Sequence, residues 1–155
     1  MRGYYLNDSV LKMIPKKILA FGTFDIFHPG HEFFLREAKK QGEHLSVVLA
    51  RDDTVNKVKG VPTVNDELAR LAMIKSLDYV DYACLGSEDN KYEIITELKP
   101  DIIFLGYDQN AFVDGLSGFL DKNGISCKVL RLKDSLKPEV YKSSKLRGGL
   151  DHNKE

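Results

Sequence analysis

Five short apolar runs, separated by segments of helical period, leave this chain few folds to choose from. KILAFG (17–22), HLSVVLA (44–50), VDYACLG (80–86), DIIFLG (101–106) and SCKVLRL (126–132) are bounded by Gly, Asp, Lys or Asn and read as strands. HEFFLREAKKQG (31–42) reads as a helix, with Phe33, Phe34 and Ala38 on one face and Gly42 as a stop. DELARLAMIKSL (66–77), carrying Leu68, Leu71, Ala72 and Ile74, reads the same way, as do KYEIITELK (91–99) and AFVDGLSGFLDKNG (111–124). RDDTVNKVKGVPTVN (51–65) reads as a polar loop. Strands that are apolar throughout are covered on both faces, as in parallel sheets. The pattern therefore predicts an α/β fold: a single-domain, Rossmann-like, doubly wound parallel sheet of five strands with helices on both faces. That domain is expected over residues 16–148, after an extension (1–15) and before a polar tail (149–155).

The 155 residues are 43% apolar and 30% charged, an ordinary mixture for a folded domain. The 23 basic and 23 acidic side chains cancel, so charge gives no argument for nucleic acid or a membrane surface as partner. Cys84 and Cys127 lie far apart without metal-motif neighbours and read as buried small hydrophobes in a reducing compartment. No apolar run has the roughly 18 residues that span a bilayer, and the start lacks a signal-peptide pattern, so a cytoplasmic location is expected.

Ligands of open α/β sheets sit beyond the carboxyl ends of the strands. FGTFDIFHPGH follows the first predicted strand and carries two of the four histidines, His28 and His31. Pro29 fixes φ, Gly30 lets a ligand approach the backbone, and His31 is expected to open a helix whose amides and dipole attract an anion. Two imidazoles there add donors, which suits a phosphate whose charge grows during reaction. Zinc would need a third ligand, and neither His44 nor His152 has a partner at motif spacing. No metal ligands are assigned. G-x-x-x-x-G-K-[ST] is absent, and no G-x-G-x-x-G follows the first strand, which weakens kinase and dehydrogenase readings. Lys137, Lys142, Lys145 and Arg147 make residues 137–147 locally basic, and Ser143 and Ser144 could cap a short final helix.

GTFDIFHPGH, with H-x-G-H closing a G-[ST]-F-D turn, resembles the nucleotidyltransferase superfamily of cytidylyl- and adenylyltransferases. YKSSKL (141–146), LGYDQN (105–110), ARDD (50–53) and VNDELAR (64–70) extend the likeness over residues 17 to 147. Within the superfamily the chain is most similar to archaeal-type FAD synthases, which transfer AMP from ATP to FMN; glycerol-3-phosphate cytidylyltransferases are near relatives. The resemblance implies that Gly22, Thr23 and Phe24 turn around the α-phosphate, with Gly30 in the H-x-G-H segment and Asp25 near the metal and phosphates. His28 and His31 would stabilise the transition state, and Lys59, or Lys57, would reach the phosphates. Arg70 would lie near the acceptor or triphosphate, although by spacing it could equally pair with Asp66 or Glu67 on the surface. Asp108 would contact the nucleoside, Gly106, Tyr107 and Tyr141 would belong to the same nucleotide-binding set, and Ser143, Ser144 and Lys145 would hold the β- and γ-phosphates.

An acceptor phosphate is already anionic at neutral pH, so in-line attack on the α-phosphorus needs no general base. The implied substrates are ATP and FMN; CTP with glycerol 3-phosphate is the alternative, and a non-catalytic nucleotide binder the rival from another class. A divalent ion, Mg²⁺ in the first place, is expected to ride on the triphosphate. The resemblance also suggests a homodimer, with the segment around Arg51–Lys59 as a contact.

Overall fold

The structure, a computed structural model, describes residues 15–107 and 113–133 together with residues 7, 9 and 109. Asp108, Tyr141, Ser143, Ser144 and Lys145, and most of the expected extension and tail, lie outside the described residues. The chain runs β1 (Lys17–Gly22), α1 (Pro29–Lys39), β2 (His44–Leu49), α2 (Asp52–Lys59), α3 (Glu67–Lys75), β3 (Tyr82–Leu85), α4 (Glu93–Leu98) and β4 (Ile102–Leu105). A 3₁₀ turn (Val113–Gly115), α5 (Leu116–Lys122) and β5 (Lys128–Arg131) follow. The five strands form one parallel sheet in the order β3-β2-β1-β4-β5, the doubly wound topology that the apolar runs predict.

Alternate residues of the central strands serve two cores. Ile18 and Ala20 of β1 join Leu45, Val47 and Leu49 of β2 and Phe104 of β4 beneath Phe34, Leu35 and Ala38 of α1 and Ile74 of α3. Leu19 and Phe21 look the other way, onto Ile103, Leu105, Ile95 of α4 and Leu116 and Leu120 of α5. Burial on both faces is why these strands are almost wholly apolar, with Ser46 of β2 a buried exception. The sequence of strands changes direction between β1 and β4, and the crevice at their carboxyl ends is the switch point of the sheet.

Four readings need correction. Helix α1 begins at Pro29 rather than His31, because proline's fixed φ suits the first helical position and His28 supplies the cap. Residues 52–59 of the expected loop are a helix, with Asp52 and Asp53 in its first turn, Lys57 and Lys59 in its last, and Gly60 at φ 75° ending it. On α3 the inward residues are Arg70 and Ile74, while Leu68 is 68% exposed. Cys84 and Cys127 are free thiols and only half-buried; burial pushes both pKa values up.

Candidate active site

His28 has an extended backbone and caps α1 with its own ring: Nδ1 accepts from the Gly30 amide at 3.0 Å. A ring nitrogen that accepts carries no proton, so the neutral ring bears its proton on Nε2 and offers it as a donor. The bond has a second consequence. Gly30's amide is turned to His28, so it is not one of the helix-start amides left for an anion.

His31 lies one turn into the helix, its amide bonded to the His28 carbonyl at 2.9 Å. The two imidazoles stack, centroids 3.7 Å apart at 25°. Burial lowers the His31 pKa to about 3, assisted by the neighbouring His28 and the charge of Lys59, while Asp25 and a hydrogen bond to the Ile26 backbone pull the other way. Burial lowers the His28 pKa as well. Both rings are therefore neutral at pH 7 before an anion binds, and they act there as N–H donors rather than as fixed charges.

The turn that leads to them is strained. Phe24 is a non-glycine residue at φ 52°, buried to 5% exposure. Its ring meets His31 edge-on at 5.3 Å and stacks over Phe34 at 6.4 Å. It also passes so close to Gly22 that a Cβ there would stand 2.6 Å from the ring. Gly22 is thus required by close approach, and the left-handed Phe24 holds His31 in place.

Asp25, 3% exposed, is committed to a loop. Its two carboxylate oxygens accept the amides of Val64 and Asn65, each at 2.8 Å. It fastens the segment after α2 to the β1–α1 turn, while remaining close enough to His31 to influence it electrostatically.

Arg70 does not make the surface pair that its spacing allowed. It is 1% exposed and pairs with neither Asp66 nor Glu67; its guanidinium is a hub between three chain segments. Nη1 donates to the carbonyls of Thr23 and Ala50 at 2.9 and 2.8 Å, Nε to that of Asn65 at 3.1 Å, and Nη2 to Asp52 at 2.7 Å. Asp52 also accepts from Thr63 and the Glu67 amide, and Glu67 returns a bond to the Asp52 amide and pairs with Arg51. Burial pushes the Asp52 carboxyl up, but the Arg70, Glu67 and Thr63 hydrogen bonds outweigh it and hold the pKa below its usual value. The network fixes α2, and with it Lys59, whose charge is felt at His31.

Across the crevice, Gly106 and Tyr107 follow β4. Here the structure adds a residue that the sequence reading did not single out. The Gln109 side chain accepts from the Gly106 amide at 2.6 Å and donates to the Phe21 carbonyl at 2.8 Å. Nothing in the residue type alone could have flagged it, since a glutamine after a strand is ordinarily solvated. The described residues thus bring Gly22, Thr23, Phe24, Asp25, His28, Gly30, His31 and Lys59 together at β1, with Gly106 and Tyr107 one strand away. Among the described residues no group of three or more His, Cys, Asp or Glu side chains is placed to hold a metal ion, and no helix is long and apolar enough to cross a membrane.

This arrangement has relatives. The cytidylyltransferase-like family matches residues 19–149. The FAD synthase of Aciduliprofundum boonei is 47% identical over 117 residues, covering 76% of this chain and 78% of the relative. That of Methanothermobacter thermautotrophicus is 45% identical over 134 residues, covering 84% and 88%. Among solved structures, the lipopolysaccharide core biosynthesis protein of Thermoplasma volcanium superposes with a TM-score of 0.73 at 41% identity, covering 79% of this chain and 99% of that one. With the sheet order, the capped histidine pair and a match over most of its length, the chain belongs to the cytidylyltransferase-like family.

Proposed function

We propose that the chain is an FMN adenylyltransferase, moving AMP from ATP to FMN to give FAD and pyrophosphate. The observation that carries the reading is the stacked, neutral His28–His31 pair at the start of α1, beside the charge of Lys59 and at the carboxyl edge of β1. The FAD synthase relatives support the choice of substrates.

In this reading the FMN phosphate attacks the α-phosphorus in line and pyrophosphate leaves. Gly22, Thr23 and Phe24 shape the turn around the α-phosphate. Nε2–H of His28, together with His31, donates to oxygens whose charge rises as the P–O bond to the leaving group lengthens. Lys59 approaches the same phosphates from the end of α2. Gly106, Tyr107 and Asp108 serve the nucleoside, and Tyr141, Ser143, Ser144 and Lys145 the β- and γ-phosphates. Asp25, with both oxygens engaged by amides, contributes by holding the loops. Mg²⁺ enters as part of the MgATP substrate, held mainly by the triphosphate. We further propose a cytoplasmic homodimer whose contact includes the α2 region, where Val58, Val61 and Val64 are exposed.

Pyrophosphate release, measured with ATP or CTP against FMN or glycerol 3-phosphate, tests the assignment. Turnover with ATP and FMN is expected. Turnover confined to CTP and glycerol 3-phosphate would keep the mechanism and replace both substrates. No turnover with any pair would make the chain a transferase to another acceptor or a nucleotide binder.

A further inference from the structure

A side chain bridges the crevice between β1 and β4. The two strands are in register from Ile18 opposite Ile102 to Ala20 opposite Phe104, and there their pairing stops. Each strand continues with its other neighbour: β1 with β2 as far as Gly22 opposite Leu49, and β4 with β5 as far as Leu105 opposite Arg131. Beyond Ala20 and Phe104, then, a carbonyl of β1 and an amide after β4 face a gap where a ladder would ordinarily run on. Gln109 fills it. Its Nε2 donates to the Phe21 carbonyl and its Oε1 accepts from the Gly106 amide, so one side-chain amide satisfies both backbone groups where the strand pairing has ended.

The same short stretch is gripped from the far side. Arg131, the last residue of β5, donates from Nη1 to the Gly106 carbonyl at 2.8 Å and from Nη2 to the Gln109 carbonyl at 3.0 Å. The Gln109 amide also donates to the Gly106 carbonyl at 3.3 Å. The guanidinium fork matches two carbonyls at once, a geometry that an ammonium cannot reproduce. The chain leaving β4 is therefore pinned to β1 on one side and to β5 on the other, beside the histidine pair that follows β1.

We propose that Gln109 and Arg131 are positioning residues for the nucleoside of the triphosphate: Gln109 as the spacer that keeps the switch-point crevice open, Arg131 as the clasp that fixes the wall formed by Gly106 and Tyr107. The proposal rests on the nucleotidyltransferase reading and adds the two residues that preset its nucleoside end. They act on nucleotide binding and leave the histidine chemistry to the residues after β1.

The test compares Gln109→Glu, Arg131→Lys and wild type. Glutamate keeps the acceptor for the Gly106 amide but sets an oxygen against the Phe21 carbonyl. Lysine keeps the charge of Arg131 and loses the fork. ATP affinity is measured without acceptor, by calorimetry in the presence of Mg²⁺, and KM and kcat by pyrophosphate release with FMN. Each variant is expected to weaken ATP binding and raise its KM about tenfold, with the FMN KM and kcat moving by less than about threefold. Wild-type ATP affinity in either variant would overturn the proposal; in Arg131→Lys it would mean that the charge acts and the fork does not. A loss falling equally on both substrates, on kcat and on the melting temperature would overturn it too, as general destabilisation. If wild type binds ATP but releases no pyrophosphate with FMN, the acceptor assignment fails while the affinity comparison still decides the proposal. If wild type binds neither ATP nor CTP, both fall.

Discussion

The His28 ring has two tasks at two nitrogens, and substitutions can part them. Nδ1 caps α1, while Nε2–H is the donor proposed for the phosphates. Asparagine is among the best N-cap residues and has no group at the place of Nε2, whereas alanine supplies neither function. His28→Asn is expected to keep stability within about 0.5 kcal/mol of wild type, and His28→Ala to lose about 1 kcal/mol. Both should lower kcat by about 10²–10³. Urea unfolding beside pyrophosphate release checks the pair, and an asparagine variant with wild-type turnover would remove His28 from the chemistry. His31 makes a different prediction. Its pKa drops from 6.5 unfolded to about 3 folded, so below pH 6.5 the unfolded chain binds the proton that the native state excludes. The stability due to the neutral ring is complete above pH 6.5 and declines as pH falls toward 3, by up to about 1.4 kcal/mol per unit. Between pH 7 and pH 5, wild type should lose about 2 kcal/mol more than His31→Gln, which cannot titrate. Equal acid sensitivity in the two proteins would show that His31 is not buried neutral.

At the scale of elements, α2 and α3 act through Arg70 to place parts of the site that they do not contain. Removing the guanidinium leaves the carbonyls of Thr23, Ala50 and Asn65 without that donor, and Asp52 without its cationic partner. Arg70→Met is expected to cost about 3 kcal/mol or more, seen in urea unfolding. Arg70→Lys should recover little, because one ammonium cannot reach acceptors spread over three segments. A lysine variant of wild-type stability would show that charge alone suffices. The same elements show where sequence reading stops. The central strands were legible because burial on both faces leaves them almost wholly apolar, and HPGH was legible because a proline, a glycine and two imidazoles converge at one sheet edge. Helix α2 was not, since Val55 is its only buried residue and a single apolar position has no period. Its termini did carry the signal, in paired aspartates, late lysines and Gly60. The enclosure of Arg70 was not legible, because a charged side chain is rarely buried unless paired, and its spacing allowed a surface pair with Asp66 or Glu67. Its partners lie 5 to 47 positions away, a closure that only the folded chain reveals.

For the molecule as a whole, the proposed site draws on residues at both ends of the domain. The histidine turn follows β1, whereas Tyr141, Ser143, Ser144 and Lys145, proposed to hold the β- and γ-phosphates, come more than a hundred positions later. A ligand held by both regions stabilises the folded state by RT ln(1 + [L]/Kd), about 2.7 kcal/mol at a hundred times Kd. If the terminal phosphates provide the grip on the later segment, MgATP should raise the melting temperature well above AMP at equal concentration. The double variant Ser143→Ala, Ser144→Ala should then lower the ATP shift toward that of AMP while leaving the AMP shift itself unchanged. The second half of that expectation matters most. Among the described residues the five strands and the histidine turn lie within 17–131, so an unchanged AMP shift would assign the effect of 143 and 144 to the phosphates. Thermal melts with AMP, ADP and ATP on both proteins read this directly. A variant that loses the AMP and ATP shifts in equal measure would mean that the later segment shapes the whole pocket; an unchanged ATP shift would take those serines out of the triphosphate site.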